Sequence, residues 1–354
     1  MKLRNVNDLK GGEYLARAVC IGSEIILIYE GTCIKEEYIQ KLKELGVQCV
    51  YIRENIDDLD EEEDKSAYTK DLIIQDYRER IKNLLERHIY TSRSELIELK
   101  TIAQTIITNI MQKDEIVEQI VNLKEHETDI YEHSLNVCAL SVLLALKSNV
   151  DMEIVNSIAI GSILHDIGFR YIPIAFANQL MDDLSRKDLN EYKKHTIYGY
   201  MAVEYEEWLT EESKEIILSH HERIDGSGYP LRKKNLKKST QIVSICDEYD
   251  TILCGICCER MLAYQIIENL KAKNGVIFDK NILDIFLEFI ALYPNGTTII
   301  TNEGEVGIVI KQNSNFKERP IIRMIKDKYG KNIKTNEEKD LLKHLNIFIE
   351  SVID

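Results

Sequence analysis

The chain has 354 residues, of which 44% are hydrophobic and 30% charged, an ordinary composition for a globular protein with a large core. Its formal net charge of −15 argues against a long nucleic-acid polymer as partner, because repeated phosphate contacts need a basic surface. No apolar run is long enough to cross a bilayer, and residues 1–8 lack the apolar core of a signal peptide. The eight cysteines show no paired framework, so we expect reduced thiols and a cytoplasmic protein.

Residues 1–56 are predicted to form a small mixed α/β domain. Short apolar runs at 15–19 and 25–29 lie between glycines and indicate strands, and 47–52 has the pattern of a closing strand. Between them, residues 32–45 carry apolar side chains at helical spacing and are followed by a glycine, as a helix C-terminus often is.

Residues 57–120 are predicted to connect this domain to the rest of the chain. The stretch 54–65 is an acidic run, which is more often a solvated linker than a calcium site. From residue 68 to residue 123 the pattern is helical, with apolar side chains on recurring faces, and indicates connector helices.

The stretch 125–291 contains the residue types that chemistry needs. Taken singly, a histidine on an apolar helix is more often a satisfied core residue than a ligand. Here, however, His165 and Asp166 end an apolar helical run, where both are costly to bury unless they are paired or bound to metal. His220 and His221 precede a turn with two glycines and a proline, which is a poor core segment. Such mixed imidazole and carboxylate sets suit iron, manganese or zinc.

Beyond residue 297 the pattern changes to short strands. Residues 298–300 and 305–310 predict a hairpin around Asn302-Glu303-Gly304, and 320–325 predicts a further strand. Over 326–354 the spacing of four apolar residues predicts a short tail helix; they are Leu341, Leu342, Leu345 and Ile349.

A set of histidines and aspartates, with the segment 225–230 among them, closely resembles the HD-GYP domain, a branch of the HD phosphohydrolases. The set consists of His133, His165, Asp166, His195, His220, His221 and Asp247. The likeness covers residues 121–325, including 293–297, and residues 1–56 are similar to a small domain that often precedes HD-GYP domains in bacteria. The resemblance implies a mainly α fold: a helical bundle with metals in its core, a small mixed α/β domain in front and a short β-containing extension behind.

The resemblance also implies a chemistry and its residues. An HD-GYP protein is expected to hydrolyse a cyclic dinucleotide, cyclic di-GMP first of all, to linear pGpG and/or GMP. Two or three divalent ions, iron or manganese, would clamp the phosphodiester, and a hydroxide bridging them would be the nucleophile. The residues that match metal ligands are His133, His165, Asp166, His195, His220, His221 and Asp247, with Asp129 for a third ion.

Within that set, Asp166 matches the bridging ligand and forms the catalytic pair with His165. The segment around residue 229 contributes a tight turn, since its glycines allow the loop to fold beside the ligands. The candidate substrate contacts are Arg170, Arg223, Asp225, Gly226, Tyr229 and Asp250.

Two departures from the family pattern concern substrate binding. The family usually has a phosphate-contacting lysine where this chain has Phe169, and Arg170 points about 100° further round the helix. The usual Arg-Pro-Tyr-Lys segment is replaced by residues 256–259, Ile-Cys-Cys-Glu. Each lost cation is expected to weaken binding or turnover by about ten- to a thousand-fold. Arg223 and Lys193-Lys194 are candidates to compensate in part, although an ordinary surface charge is the commoner role for such residues.

The sequence is therefore compatible with three kinds of function. The intact ligand set favours a cyclic dinucleotide phosphodiesterase. The missing cations favour either a sensor that binds a nucleotide or a protein partner with little turnover, or a phosphodiesterase for a different cyclic dinucleotide. A phosphohydrolase acting on a mononucleotide is the third hypothesis. The sequence leaves open a homodimer or a signalling protein as partner.

Overall fold

A computed structural model describes residues 97–112, 130–172, 180–313, 316–333 and 337–353, together with short pieces of 2–52 and the single positions Val117 and Ile120. The chain divides into two compact units, Met1–Asp76 and Tyr77–Asp354. The acidic run and most of the connector predicted up to residue 120 lie outside the described residues. No helix in the described ranges is long and apolar enough to span a membrane.

The first unit contains two antiparallel strand pairs. Strand β1 (Lys2–Asn5) pairs with β4 (Cys49–Ile52), and β2 (Val19–Ile21) pairs with β3 (Ile25–Ile28). Tyr38, Ile39, Leu42 and Lys43 are helical, so the described part contains both predicted structure types. The buried apolar residues form one small core: Val6, Leu9, Leu15, Ile34, Ile39, Leu42 and Val50.

The second unit is built on a helical bundle. Its helices are α1 (Ile97–Gln112), α2 (Ile130–Lys147), α3 (Met152–Leu164), α4 (Arg186–Tyr192), α5 (His195–Val203), α6 (Glu211–Ser219), α7 (Lys238–Cys254), α8 (Ala263–Ala272) and α9 (Lys280–Phe289). A short 3₁₀ turn, Ile167–Tyr171, follows α3, and one continuous apolar core fills the bundle. The predicted mainly α fold is confirmed.

Local sequence sets several of the helix ends. The side chains of Ser185, Thr210 and Asp279 precede α4, α6 and α9, and each accepts a hydrogen bond from a backbone N–H of the first helical turn. Helix α7 ends at Gly255, whose φ of +70° suits glycine. These ends matter because most of the candidate ligands lie at or just beyond helix termini.

Helix α3 lies at the centre of the bundle. From Ser157 to Leu164 every residue is buried, and the helix packs against α1, α2, α6 and α7. A helix that is apolar on all sides is stable only inside a core. Its C-terminal end therefore delivers the next two residues, His165 and Asp166, to the middle of the bundle.

The chain ends in a five-stranded antiparallel sheet. Its strands are β5 (Thr298–Thr301), β6 (Val306–Lys311), β7 (Ile321–Lys326), β8 (Glu338–Asp340) and β9 (Ile349–Ile353), in the order β8-β7-β6-β5-β9. The predicted hairpin and third strand are confirmed.

The predicted tail helix over 326–354 is wrong. Two strands occupy this stretch, and Leu341 and Ile347 fill the core of the sheet together with Ile299. Apolar residues three or four apart fit a short helix, but the same spacing also allows single side chains in and between short strands to pack into the core of a sheet. The boundary predicted at residue 325 would also divide the sheet inside β7.

Candidate metal centre

Seven side chains from separate parts of the bundle converge on one point. His133 lies in the first turn of α2, His165 and Asp166 follow α3, and His195 begins α5. His220 and His221 follow α6, and Asp247 lies inside α7. They form two groups, and within each group the candidate ligand atoms all lie within 4.8 Å of one another. One group consists of Asp166, His195, His220 and His221, and the other consists of His133, His165 and Asp247.

Asp166 faces both groups with separate oxygens. Its Oδ2 lies 3.2 Å from His165 Nε2 and 3.7 Å from His133 Nε2. Its Oδ1 lies 3.4 Å from His195 Nε2 and 3.7 Å from His220 Nε2. Oδ1 is buried and accepts no hydrogen bond from the described residues. A carboxylate placed in this way can bridge two cations.

Asp247 also faces both groups. Its Oδ1 lies 3.3 Å from His133 Nε2, while its Oδ2 lies 3.5 Å from His221 Nδ1. The two acids thus enclose the point where the imidazoles meet. The sequence alone indicated such a bridging position only for Asp166.

Backbone carbonyls determine how three of the imidazoles face the centre. His165 Nδ1 donates to Ser162 O at 2.7 Å, and His195 Nδ1 donates to Tyr192 O at 2.8 Å. His220 Nδ1 donates to a carbonyl in the same way, to Ile217 O at 3.0 Å. Each acceptor lies three residues earlier. A neutral histidine that donates through Nδ1 presents an unprotonated Nε2, which is the form that binds a metal.

The Nε2 atoms meet in close pairs. Those of His133 and His165 lie 3.3 Å apart, as do those of His195 and His220. Since Nδ1 of both His195 and His220 donates to a carbonyl, their neutral rings would bring two unprotonated nitrogens together, which is unfavourable unless a positive charge lies beside them. The donor set, five imidazoles and two carboxylates, fits borderline divalent ions such as iron, manganese or zinc.

The electrostatics also favour positive charge at this point. Burial alone would lower the pKa of His133, but its hydrogen bonds to Asp247 and Asp250 outweigh burial and raise the pKa to about 9. Burial would raise the pKa of Asp166, yet the adjacent His165 lowers it well below 3.8. On the other side, burial lowers the pKa of His195 to about 4, so this imidazole is neutral at pH 7.

Asp250 has a different position from the one predicted for a substrate contact. It is fully buried, and its Oδ2 accepts a hydrogen bond from His133 Nδ1 at 2.7 Å. Cys254 Sγ lies 3.6 Å from the same oxygen. Asp250 therefore orients a ligand from behind, in the way that carboxylates support metal-binding histidines.

Arg223 also has another role in the structure. Its Nη1 donates to His220 O at 3.1 Å and to Ser244 Oγ at 2.5 Å, and its Nη2 pairs with Glu248 Oε2 at 2.7 Å. These bonds engage the guanidinium in holding the turn that follows α6. It is therefore not a free cation for a phosphate.

The remaining candidate contacts lie in different places. Tyr229 stacks on His221, with ring centroids 4.7 Å apart, at the edge of the centre. Asp225 Oδ1 accepts a hydrogen bond from Ser227 N, and Gly226 has a φ of +82°, so both shape the loop. The structure describes no contact between Arg170 and the seven ligands, and Asp129 lies outside the described residues.

Sequence reasoning missed Glu222. It is fully buried, and its two carboxylate oxygens accept hydrogen bonds from Leu231 N at 2.5 Å and Lys233 N at 2.9 Å. These bonds close the loop that carries Tyr229. An acid directly after two ligand histidines, at the start of a glycine-rich turn, was the available signal.

Close packing beside the ligands was also missed. A Cβ on Gly168 would lie 1.8 Å from His195 O, so only glycine fits there. Phe169 stacks flat on His195, with centroids 4.1 Å apart and planes at 17°. It joins Tyr192, Ile172 and their neighbours in an apolar cluster that covers this side of the centre.

The comparisons with known families agree with a helical bundle that carries a buried histidine–aspartate centre. Residues 115–282 match the HD domain family, and residues 298–354 match the family described as a KOW domain associated with HD domain. The predicted resemblance to an HD-domain family is thus confirmed for residues 115–282, a little under half of the chain. The second match coincides with the five-stranded sheet.

Curated relatives are similar to part of the chain. A cyclic di-GMP phosphodiesterase of Pseudomonas aeruginosa is 25% identical over 226 residues, which cover 63% of this chain and 54% of the relative. The cyclic di-GMP phosphodiesterase PdeB of Borreliella burgdorferi is 25% identical over 213 residues, which cover 59% of this chain and 55% of the relative. The chain therefore spans about half the length of these relatives.

One solved structure has the same fold over most of the chain. It is an HDGYP protein from Bdellovibrio bacteriovorus, with a TM-score of 0.54 and 21% sequence identity. The match covers 81% of this chain and 98% of that protein. This likeness concerns the fold.

Proposed function

We propose that the protein is a metal-dependent phosphodiesterase that hydrolyses a cyclic dinucleotide, with cyclic di-GMP as the first candidate and linear pGpG and/or GMP as products. The observation that carries this proposal is Asp166, whose two oxygens face two separate imidazole groups. That arrangement suits a pair of cations clamping one phosphate. The functions named for the curated relatives point the same way.

The metals we propose are two iron or manganese ions. His133, His165 and Asp247 would hold one, and His195, His220 and His221 the other, with Asp166 between them. When bound, such ions supply a water of lowered pKa and neutralise charge on the phosphate. A third ion through Asp129 would require a residue outside the described ranges.

The protein's own groups would orient these ligands and exclude water. The carbonyls behind His165, His195 and His220 hold their rings, so little reorganisation is needed when substrate arrives. The apolar cluster around Phe169 closes one side of the centre. Tyr229, stacked on His221, lies on the side where a nucleotide can approach.

A second function, a nucleotide sensor with weak turnover, is favoured by one observation. The position that carries a phosphate-binding lysine in the family holds Phe169, whose ring lies against a ligand instead of reaching a substrate. Arg223 does not replace that lysine, because it pairs with Glu248.

A product assay tests the two functions. Protein purified without oxygen and loaded with iron(II) or manganese(II) is incubated with cyclic di-GMP and a panel of other cyclic dinucleotides, and products are followed by mass spectrometry. We expect turnover that falls at least about a thousand-fold in Asp166→Ala, because the bridging ligand is lost. Asp183→Ala, which removes an exposed carboxylate of the same unit, is the matched control. If the metal-loaded protein binds a cyclic dinucleotide but does not hydrolyse it, the enzyme hypothesis is rejected and the sensor hypothesis is supported.

A further inference from the structure

A substrate with two phosphates needs a cation beyond the metal ligands, and the usual ones are absent. Phe169 occupies the position of the lysine that binds a phosphate in the family. Residues 256–259 contain one acidic and no basic side chain, where the family has the Arg-Pro-Tyr-Lys segment. Arg223 is held by His220 O and Glu248. A replacement must lie on the open side of the centre.

The side of the centre that is most exposed to solvent lies next to His221. Its side chain is 16% exposed, compared with 0% for His165, His195 and His220. Asp166, at 9%, is the next most exposed of the seven ligands. Phe169, by contrast, stacks on the fully buried His195 within an apolar cluster. Of the seven residues, His221 is thus the one that a substrate can reach most directly.

Lys193 lies on this side. Its Nζ is 5.2 Å from the centroid of the Tyr229 ring, and that ring stacks on His221. The backbone of Lys193 is fixed at the end of α4, where its N–H donates to Leu189 O at 3.1 Å. The ammonium group thus lies above the aromatic ring that borders the entrance.

Lys193 differs from its neighbour in having no acidic partner. Within the described ranges no carboxylate lies within salt-bridge distance of its Nζ, whereas Lys194 Nζ pairs with Glu191 Oε2 at 2.6 Å. An ammonium group held only by an aromatic face keeps its donors available for an anion. The two adjacent lysines are therefore a natural pair of test and control.

We propose that Lys193 binds a phosphate of the substrate at the entrance, namely the phosphate that does not lie among the seven ligands. This inference rests on the proposed function, because only a substrate with two phosphates places a second anion there. Lys193 is then a specificity residue that replaces the cations absent at positions 169 and 256–259. Its ammonium group recognises the negative charge of the phosphate and does not distinguish between the bases.

The test compares Lys193→Ala with Lys194→Ala on whichever cyclic dinucleotide the metal-loaded protein cleaves. We expect KM to rise about ten-fold in Lys193→Ala with kcat within about two-fold, as loss of one partly exposed charged hydrogen bond predicts. Lys194→Ala should change KM by less than about two-fold, and Lys193→Arg should retain most of the affinity. Metal content and melting temperature are measured for every variant.

A substrate with one phosphate separates the inference from the function. The loss in kcat/KM of Lys193→Ala should be several-fold smaller on bis(p-nitrophenyl) phosphate than on the cyclic dinucleotide. Equal KM values for the two alanine variants, or equal losses on both substrates, would overturn the role of Lys193 and leave the phosphodiesterase intact. Cleavage of bis(p-nitrophenyl) phosphate without cleavage of any cyclic dinucleotide would overturn the proposed function and this inference with it.

Discussion

Asp250 orients the imidazole of His133, although Asp250 itself is not one of the seven residues that converge on the centre. Asp250 accepts the Nδ1 proton of His133 at 2.7 Å, which turns Nε2 toward Asp247 and Asp166. The same bond helps raise the pKa of His133 to about 9 against the opposing effect of burial. Below that pH, His133 carries a proton that a metal must displace.

A pH dependence follows at this residue. Because the folded pKa of about 9 exceeds the ordinary 6.5, the protonated His133 stabilises the metal-free protein below pH 6.5, and this stability is lost as pH rises through 9. A metal must displace this proton, and against the effect of burial Asp166 raises the pKa of His165 as well, so manganese(II) affinity should rise by at least about ten-fold per pH unit between 6.5 and 8.5.

Asp250→Asn provides the comparison for this prediction. The amide keeps an acceptor but removes the charge, so the pKa of His133 falls and the pH slope should flatten. Affinity at pH 8.5 should drop about ten- to a hundred-fold, since the ligand loses its orienting carboxylate. Equilibrium dialysis under nitrogen measures both, with Asp183→Asn as control. A slope unchanged in Asp250→Asn would show that another group releases the proton.

At the scale of elements, the turn Ile167–Tyr171 packs directly on the start of α5. A Cβ at Gly168 would lie 1.8 Å from His195 O and 2.6 Å from Gly199 N, both backbone atoms that cannot rotate away. Helix α5 must therefore shift if any side chain is added, and His195 shifts with it. The geometry of the ligand is thus decided by the packing of two short elements.

Gly168→Ala should accordingly lower stability by about 2–3 kcal/mol, as overpacking does, and should also reduce bound metal. Urea unfolding and metal analysis measure the two effects. Gly330→Ala is the control: nothing lies within 4 Å of its added carbon, although its φ of +79° costs about 1 kcal/mol. If Gly168→Ala lost stability but bound metal normally, His195 would not depend on this contact.

At the scale of the whole molecule, the centre joins α2, α3, α5, α6 and α7 through buried ligands. A metal that binds only the folded protein stabilises it by about 2.7 kcal/mol at a hundred times its dissociation constant. Removal by a chelator should therefore lower the melting temperature by about 5–10 °C, and manganese(II) should restore it. Calorimetry with parallel metal analysis tests this. An unchanged melting temperature in protein shown to be metal-free would mean that the ligands are held without the ion.

Much of this organisation could be predicted from local patterns. The end of α3 at His165 and Asp166 follows from an apolar run interrupted by two polar residues, and the β5–β6 hairpin follows from Asn302-Glu303-Gly304. The seven residues proposed as ligands stood out as an unusual set, because imidazole and carboxylate groups are rare inside apolar helices, and the resemblance to the HD-GYP domain assigned them as ligands. Helix propensity, turn formation and side-chain chemistry are properties of short segments, so the sequence by itself determined them.

The tertiary structure decided which distant groups meet. Strand β9 pairs with β5 rather than forming a helix, because a sheet edge 48 to 55 residues earlier offers it backbone partners. Arg223 and Asp250, predicted to face a substrate, instead bind Glu248 and His133, while Lys193 Nζ lies over the ring of Tyr229. Pairing energies between residues far apart in the chain depend on distance and burial, and only the folded chain defines both.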